Sequence, residues 1–127
     1  MSDPLEQAAR AVRERAYAPY SNFRVGAAVE GEDGSVHVGC NVENASYGLS
    51  LCAERAAAAA AVAAGVRRLR RAVVVTDRDP PATPCGACRQ VLAEFGDPEV
   101  VAIGPARTLR RRLSELLPEP FAGAPPA

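Results

Sequence analysis

Three cysteines and a glutamate are spaced so that they could do chemistry together. Cys85-Gly86-Ala87-Cys88 is a C-x-x-C, a pattern shared by zinc sites and redox pairs. Cys52 stands upstream, followed by Glu54 and Arg55. Each cysteine group falls where a helix should begin, and the partial positive charge of a helix N-terminus favours thiolate, the form that binds metal. Cys85 and Cys88 are three apart and project from one face, so they can chelate one ion. Cys52 would complete a three-sulfur set from the second helix. Three protein ligands leave a fourth tetrahedral position open, which is the catalytic rather than the structural zinc pattern. A carboxylate beside that position, Glu54, suits proton transfer with an activated water. Three thiolates on Zn²⁺ carry net negative charge, and Arg55, on the face of Cys52, would offset it.

The elements that must position these residues can be read from period and punctuation. Pro4 to Ala16 predicts a helix with Leu5, Ala8, Ala9 and Val12 as its apolar stripe. Phe23 to Glu30 alternates as a strand, with Phe23, Val25, Ala27 and Val29 on one face. Glu30 to Gly34 holds an Asp-Gly hairpin turn. Ser35 to Glu43 alternates again. Its face of Val36, Val38, Cys40 and Val42 reads as core, and His37, Gly39, Asn41 and Glu43 form the other, with His37 exposed. Ser50 to Ala64 is an alanine-rich helix capped by Gly65, with side chains small enough for close approach to a neighbour. Arg71 to Thr76 is a strand buried on both faces. A Pro-rich loop over 77–84 leads to a helix with Thr83 as N-cap and Pro84 first. Its stripe is Cys88, Val91, Leu92 and Phe95. Val100 to Ile103 is a short strand, Thr108 to Leu117 a last helix, and the tail from about Pro118 is loose. The fold class expected is α/β, a three-layer α/β/α sandwich with a central mixed sheet.

Composition sets bounds. The 127 residues make one domain, 1–127, with 48% hydrophobic and 24% charged residues, and this excludes wholesale disorder. No apolar run spans a bilayer and the first residues lack a signal-peptide layout, so a cytoplasmic protein without a membrane partner is expected. In that setting the cysteines point to metal or catalysis rather than disulfides. All 15 cations are arginine, balanced by 15 anions. Zero net charge and 5% aromatics argue against a nucleic-acid partner.

Cys52-Ala53-Glu54-Arg55 followed by Pro84-Cys85-Gly86-Ala87-Cys88-Arg89-Gln90 resembles the zinc-dependent cytidine deaminases, whose signature puts a His or Cys two before a Glu and a Pro-Cys-x-x-Cys later. Ala16 to Phe23 with Val25 to Ala28, Gly39 to Leu49, and Leu116-Leu117-Pro118 with Phe121 are similar to other stretches of that family, in its small homotetrameric three-cysteine branch. The resemblance implies hydrolysis of cytidine and deoxycytidine to the uridines and ammonia, with one Zn²⁺ per subunit held by Cys52, Cys85 and Cys88. It implies that Glu54 moves protons from the attacking water to N3 and the leaving amine. Asn41 and Glu43 would hold the ribose hydroxyls, Phe23 would pack beside the base, and the backbone of Ala53 would contact it. Tyr47 and Phe121 would reach across subunit boundaries. The stretch from Ile103 to Leu116 is shorter than the family usually shows.

Three other readings stand beside this one. A sister deaminase could act on a modified cytosine nucleoside such as blasticidin S; Asn41 and Glu43 favour plain cytidine. A non-catalytic zinc module would use Cys40 as a fourth ligand, against the alternation that turns Cys40 toward the valines. A polynucleotide editor would need a grip that the charge balance does not provide.

Overall fold

The computed structural model describes residues 3–124. Its elements run α1 (Pro4–Arg13), β1 (Gly26–Gly31), β2 (Val36–Cys40), a 3-10 turn (Tyr47–Leu49), α2 (Ala53–Ala63), β3 (Leu69–Val75), α3 (Gly86–Ala93), β4 (Glu99–Ile103), β5 (Thr108–Arg112) and α4 (Leu113–Leu116). One five-stranded sheet has the order β2-β1-β3-β4-β5. It is mixed: β3 and β4 are parallel across the α3 crossover, and the other neighbours are antiparallel. Helices cover both faces, as the expected α/β/α sandwich requires. On one face Leu5 and Ala9 of α1 pack on Ala28, Val73, Val75, Val101 and Ile103. On the other, α2, α3 and α4 bury Ala57, Ala61, Leu92 and Leu113 against Val25, Ala27, Val29 and Val74.

Local signals explain the helices. Asp3 caps α1, its carboxylate accepting the Leu5 N–H at 2.9 Å, and Pro4 occupies the first turn, where no N–H is needed. At the end of α2, Gly65 takes φ +97°, and the N–H groups of Gly65 and Val66 donate back to Val62 and Ala61. The alanines of α2 do allow close approach. A Cβ on Gly39 of β2 would lie 2.3 Å from the Ala57 nitrogen and 2.6 Å from the Ala53 carbonyl oxygen.

The sheet register gathers the chemistry. Gly26 pairs with both Cys40 and Val75, and Val75 pairs with Ile103. The residues just before β1, just after β2 and just after β3 therefore meet at one end of the sheet. The starts of α2 and α3 lie there too, outside the carboxyl end of β3, where open α/β sheets place ligands.

The structure differs from the sequence expectations in four places. Thr108 to Leu117 is mostly a strand. Arginine and leucine are good helix formers, but β4 offers an open edge, and β5 pairs with it from Glu99↔Arg112 to Ile103↔Thr108. Only Leu113–Leu116 is helical. The valine face of β2 is not core: Val36 and Val38 are 41% and 40% exposed, because β2 is an edge strand and α1 sits over the middle of the sheet. Cys40 is half-buried, and His37 is half-buried rather than exposed, 2.9 Å from Ser35 Oγ. The N-cap of α3 is Cys85, since the Thr83 hydroxyl is occupied by Arg89 Nη2 at 2.9 Å. Finally, the Gln90 side-chain amide pins the backbone of Phe121, its nitrogen donating to the Phe121 carbonyl at 2.8 Å and its oxygen accepting the Phe121 N–H at 3.1 Å, so the tail is tied down there.

Candidate active site and metal centre

Cys52 is the N-cap of α2 and Cys85 the N-cap of α3, with Cys88 one turn into α3. Neither cap sulfur accepts a backbone N–H of its own helix, which leaves both to face each other. Cys52 Sγ is 4.0 Å from Cys85 Sγ, which is 3.5 Å from Cys88 Sγ, and all three lie within 4.8 Å of one another. A tetrahedral zinc with Zn–S bonds near 2.3 Å sets its sulfurs about 3.8 Å apart. The donor set fits zinc in chemistry and spacing. Cys40 lies outside the trio, so a four-sulfur cage does not form among the described residues.

The electrostatics favour thiolate at one position first. A hydrogen bond from Cys88, the burial-opposed pull of Arg55 and the contact with Cys85 hold the Cys52 thiol down at about 5. Arg55 Nη2 donates to Cys52 Sγ at 3.7 Å and to the Ser50 carbonyl at 3.4 Å. Its own pKa is raised, chiefly by that bond to Cys52. Cys88 is pushed up by its role as donor to Cys52, by burial and by the nearby Glu54. Glu54, 6% exposed, is among the few buried charged residues. Burial raises its carboxyl above the usual range, its own backbone N–H pulls the other way, and the Cys52 charge adds to the rise. Among the described residues its carboxylate makes no hydrogen bond to another residue. It is a buried carboxylate near the sulfurs whose one hydrogen bond is to its own backbone N–H.

A cavity of about 250 Å³ opens onto this group. Phe23, Asn41, Glu43, Cys52, Ala53, Glu54 and Cys85 line it. Asn41 and Glu43 lie beyond the end of β2, in an extended stretch held by the bridges of Val42 to Tyr17 and Leu51. The Asn41 amide ties the approach to β1: its oxygen accepts from the Val25 N–H at 2.9 Å and its nitrogen donates to the Phe23 carbonyl at 2.7 Å. One N–H of that amide remains for a ligand. The Glu43 carboxylate accepts from the N–H groups of Tyr20 and Ser21 at 2.9 and 3.1 Å and from the Ser21 hydroxyl. The Ser21 hydroxyl leads in holding its pKa below the usual carboxylate range.

Residues 3–103 match the family described as "Cytidine and deoxycytidylate deaminase zinc-binding region". The chain belongs to this family. Among its relatives is a cytidine deaminase of Mycobacterium tuberculosis, 50% identical over 106 residues, which are 84% of this chain and 78% of that protein. One from Sporosarcina psychrophila is 55% identical over 83 residues, 65% of this chain and 61% of its relative. A crystal structure of cytidine deaminase from Burkholderia pseudomallei superposes with a TM-score of 0.90 at 50% identity, covering 95% of this chain and all of that one. Zinc is the cofactor that goes with the family, and Cys52, Cys85 and Cys88 are the group that could hold it.

Two residues singled out in the sequence stand apart from the deaminase pocket within one chain. Tyr47 is 75% exposed beside a shallow neighbouring cavity, its ring edge-on to Tyr20 at 6.0 Å. Phe121 is 81% exposed. Thr76 in the pocket wall, and Arg78 behind Phe23, had no role in the sequence reading. Thr76, just past β3, is buried with its hydroxyl oxygen accepting the Arg78 N–H at 3.1 Å. The Arg78 guanidinium lies 4.9 Å from the centroid of the Phe23 ring. A residue after the last position of a central strand is a recognisable place to look; the Arg78–Phe23 contact joins residues 55 apart and leaves no local signal. Arg89 knits the loop before α3 to α4, donating to the Pro84 and Leu116 carbonyls at 2.7 and 2.8 Å.

Proposed function

We propose that this chain catalyses the zinc-dependent hydrolysis of cytidine and deoxycytidine to uridine and deoxyuridine with release of ammonia, serving pyrimidine salvage in the cytosol. The observation that carries the reading is the placement of Glu54: a buried carboxylate bonded to no other residue, near three sulfurs spaced for zinc, lining a small cavity. Cys52, Cys85 and Cys88 hold one zinc ion, which when bound acts as a Lewis acid that activates water. Arg55 lies against Cys52 and offsets the charge of the thiolates. Phe23 packs beside the pyrimidine and the Ala53 backbone contacts it. Asn41 and Glu43 meet the ribose hydroxyls. Glu54 accepts a proton from the attacking water and delivers it to N3, then takes the proton left on the new C4 hydroxyl and gives it to the departing amine as the C4–N bond breaks and the C4 carbonyl forms. A raised pKa suits a group that must both take and return a proton.

The cavity is small for a ligand pocket, which commonly measures about 300–1,000 Å³. Tyr20, Tyr47, Leu49 and Phe121 leave more apolar surface open than a lone chain needs. We assign them to contacts between subunits of a homotetramer, with Tyr47 and Phe121 reaching a neighbouring site. No described helix is long and apolar enough to cross a membrane.

Ammonia release from cytidine, with and without a chelator, tests the reading. Activity that falls on chelation and returns with zinc is expected. Zinc-replete protein that leaves cytidine unchanged overturns it. A light-scattering mass of four chains is expected for the assembly, and a monomer mass refutes it.

A further inference from the structure

A second cavity, of about 490 Å³, is lined by Arg70, Arg71, Glu99, Arg110, Arg111, Arg112 and Glu115. The register places it away from the active site. Arg71 pairs with Glu99 and Glu99 with Arg112, four residues before the Val75 and Ile103 end of the sheet. At about 3.3 Å per residue, that is about 13 Å along the strands.

Five guanidiniums meet two carboxylates here, in a chain whose formal charge is zero. Both carboxylates are already engaged. Glu99 Oε1 stands 3.4 Å from Arg71 Nε and 3.8 Å from Arg110 Nη1, and Glu115 Oε1 accepts the Arg112 backbone N–H at 2.8 Å. Arg71 is also paired with Asp3 at 2.6 Å, and Arg70 donates to the Glu32 carbonyl and stands 4.0 Å from Glu30 Oε1, so the unpaired charge lies on Arg111 and Arg112. Arg71 Nε is buried and makes no hydrogen bond, keeping only the Glu99 ion pair. The guanidiniums of Arg111 and Arg112 bond only the Arg110 and Asp97 carbonyls and form no ion pair among the described residues. Charges on an edge strand keep it from pairing with other chains, but Arg70 and Arg71 lie on the interior strand β3. That need does not account for five guanidiniums around a common hollow.

Guanidinium forks match phosphate oxygens. No aromatic side chain lines the hollow, so nothing there stacks on a base, and the site suits neither a nucleic-acid strand nor a base-specific nucleotide. We propose that this cleft binds the polyphosphate group of a small molecule, with Arg110, Arg111 and Arg112 meeting its oxygens and the rest of the ligand left unread. The proposal does not depend on the reaction at the zinc end.

Calorimetric titration of the intact protein at about 0.15 M salt, where exposed charges are screened beyond about 8 Å, tests this. The probes are inorganic triphosphate and ATP. Saturable binding of both is expected, with affinities within a few-fold and mutual displacement. Arg111→Ser and Arg112→Ser change exposed side chains, and each is expected to weaken binding about tenfold, the scale of one charge-assisted bond. Arg15→Ser removes the same charge at the other end of the molecule and is expected to change nothing. Absence of saturable binding, equal loss in Arg15→Ser, or ATP that triphosphate cannot displace overturns the proposal. So does affinity that climbs with the length of a single-stranded oligonucleotide.

Discussion

Gly39→Ala is a single methyl group placed between the two structures that carry the chemistry. The new Cβ would lie 2.3 Å from the Ala57 nitrogen and 2.6 Å from the Ala53 carbonyl oxygen. Ordinary contact begins near 3.4 Å, so backbone must separate from backbone by about 1 Å. Overpacking of this kind costs about 1–3 kcal/mol, and in a chain of this length 2 kcal/mol lowers Tm by about 6–10 °C. The strain falls on the first turn of α2, which holds Cys52 and Glu54, and on the end of β2, which leads to Asn41 and Glu43. A misplacement of about 1 Å can cost about a hundredfold in rate. The assay is a melting curve, a zinc content and steady-state kinetics on one preparation. If α2 yields, zinc content or kcat falls; if the edge strand β2 yields, KM rises. A variant with the wild-type Tm, zinc content and kinetics would refute the reasoning that α2 rests backbone-to-backbone on β2.

Other perturbations separate the remaining roles. Asp3→Ala removes the α1 cap and should cost about 1 kcal/mol. The bond to Arg71 leads in lowering the Asp3 pKa below its ordinary 3.8. Its stabilisation is therefore fully present above about pH 4 and is lost as pH falls through the lower folded value. The Tm gap between wild type and Asp3→Ala should shrink on acidification below pH 4, and a gap that widens contradicts the assignment. Arg78→Ala should raise KM for cytidine by about 2–5-fold with kcat unchanged, the scale of an exposed cation–π contact; an unchanged KM removes its part in holding Phe23. Cys40→Ser should keep zinc and turnover, since Cys40 lies outside the sulfur trio, and loss of metal would restore a four-sulfur site.

The parts of this fold that rest on local patterns were legible. The stripe of α1, the alanine run closed by Gly65 and the unbroken apolar run of β3 each depend on neighbours in sequence. The failures are non-local. Thr108 to Arg112 becomes a strand only because β4 leaves an edge to pair with. Val36 and Val38 alternate like core residues, but α2 packs on the opposite face of β2 and their own face stays exposed. The helix-start placement of Cys52, Cys85 and Cys88 was readable because spacing and capping are local. What the Asn41 amide does with the Phe23–Val25 backbone was not, since it joins residues 16 and 18 apart. The arginines of the second cavity read as composition in the sequence and become a cluster only once β3, β4 and β5 are in register.

The central claim is that three sulfurs hold zinc while a separate carboxylate moves the protons. Elemental analysis and ammonia release on Glu54→Gln test it together. One zinc per chain, retained, with turnover of cytidine down by about a hundredfold or more is the expected result. Turnover close to wild type, or zinc lost with the carboxylate, would contradict the division of labour between the sulfurs and Glu54.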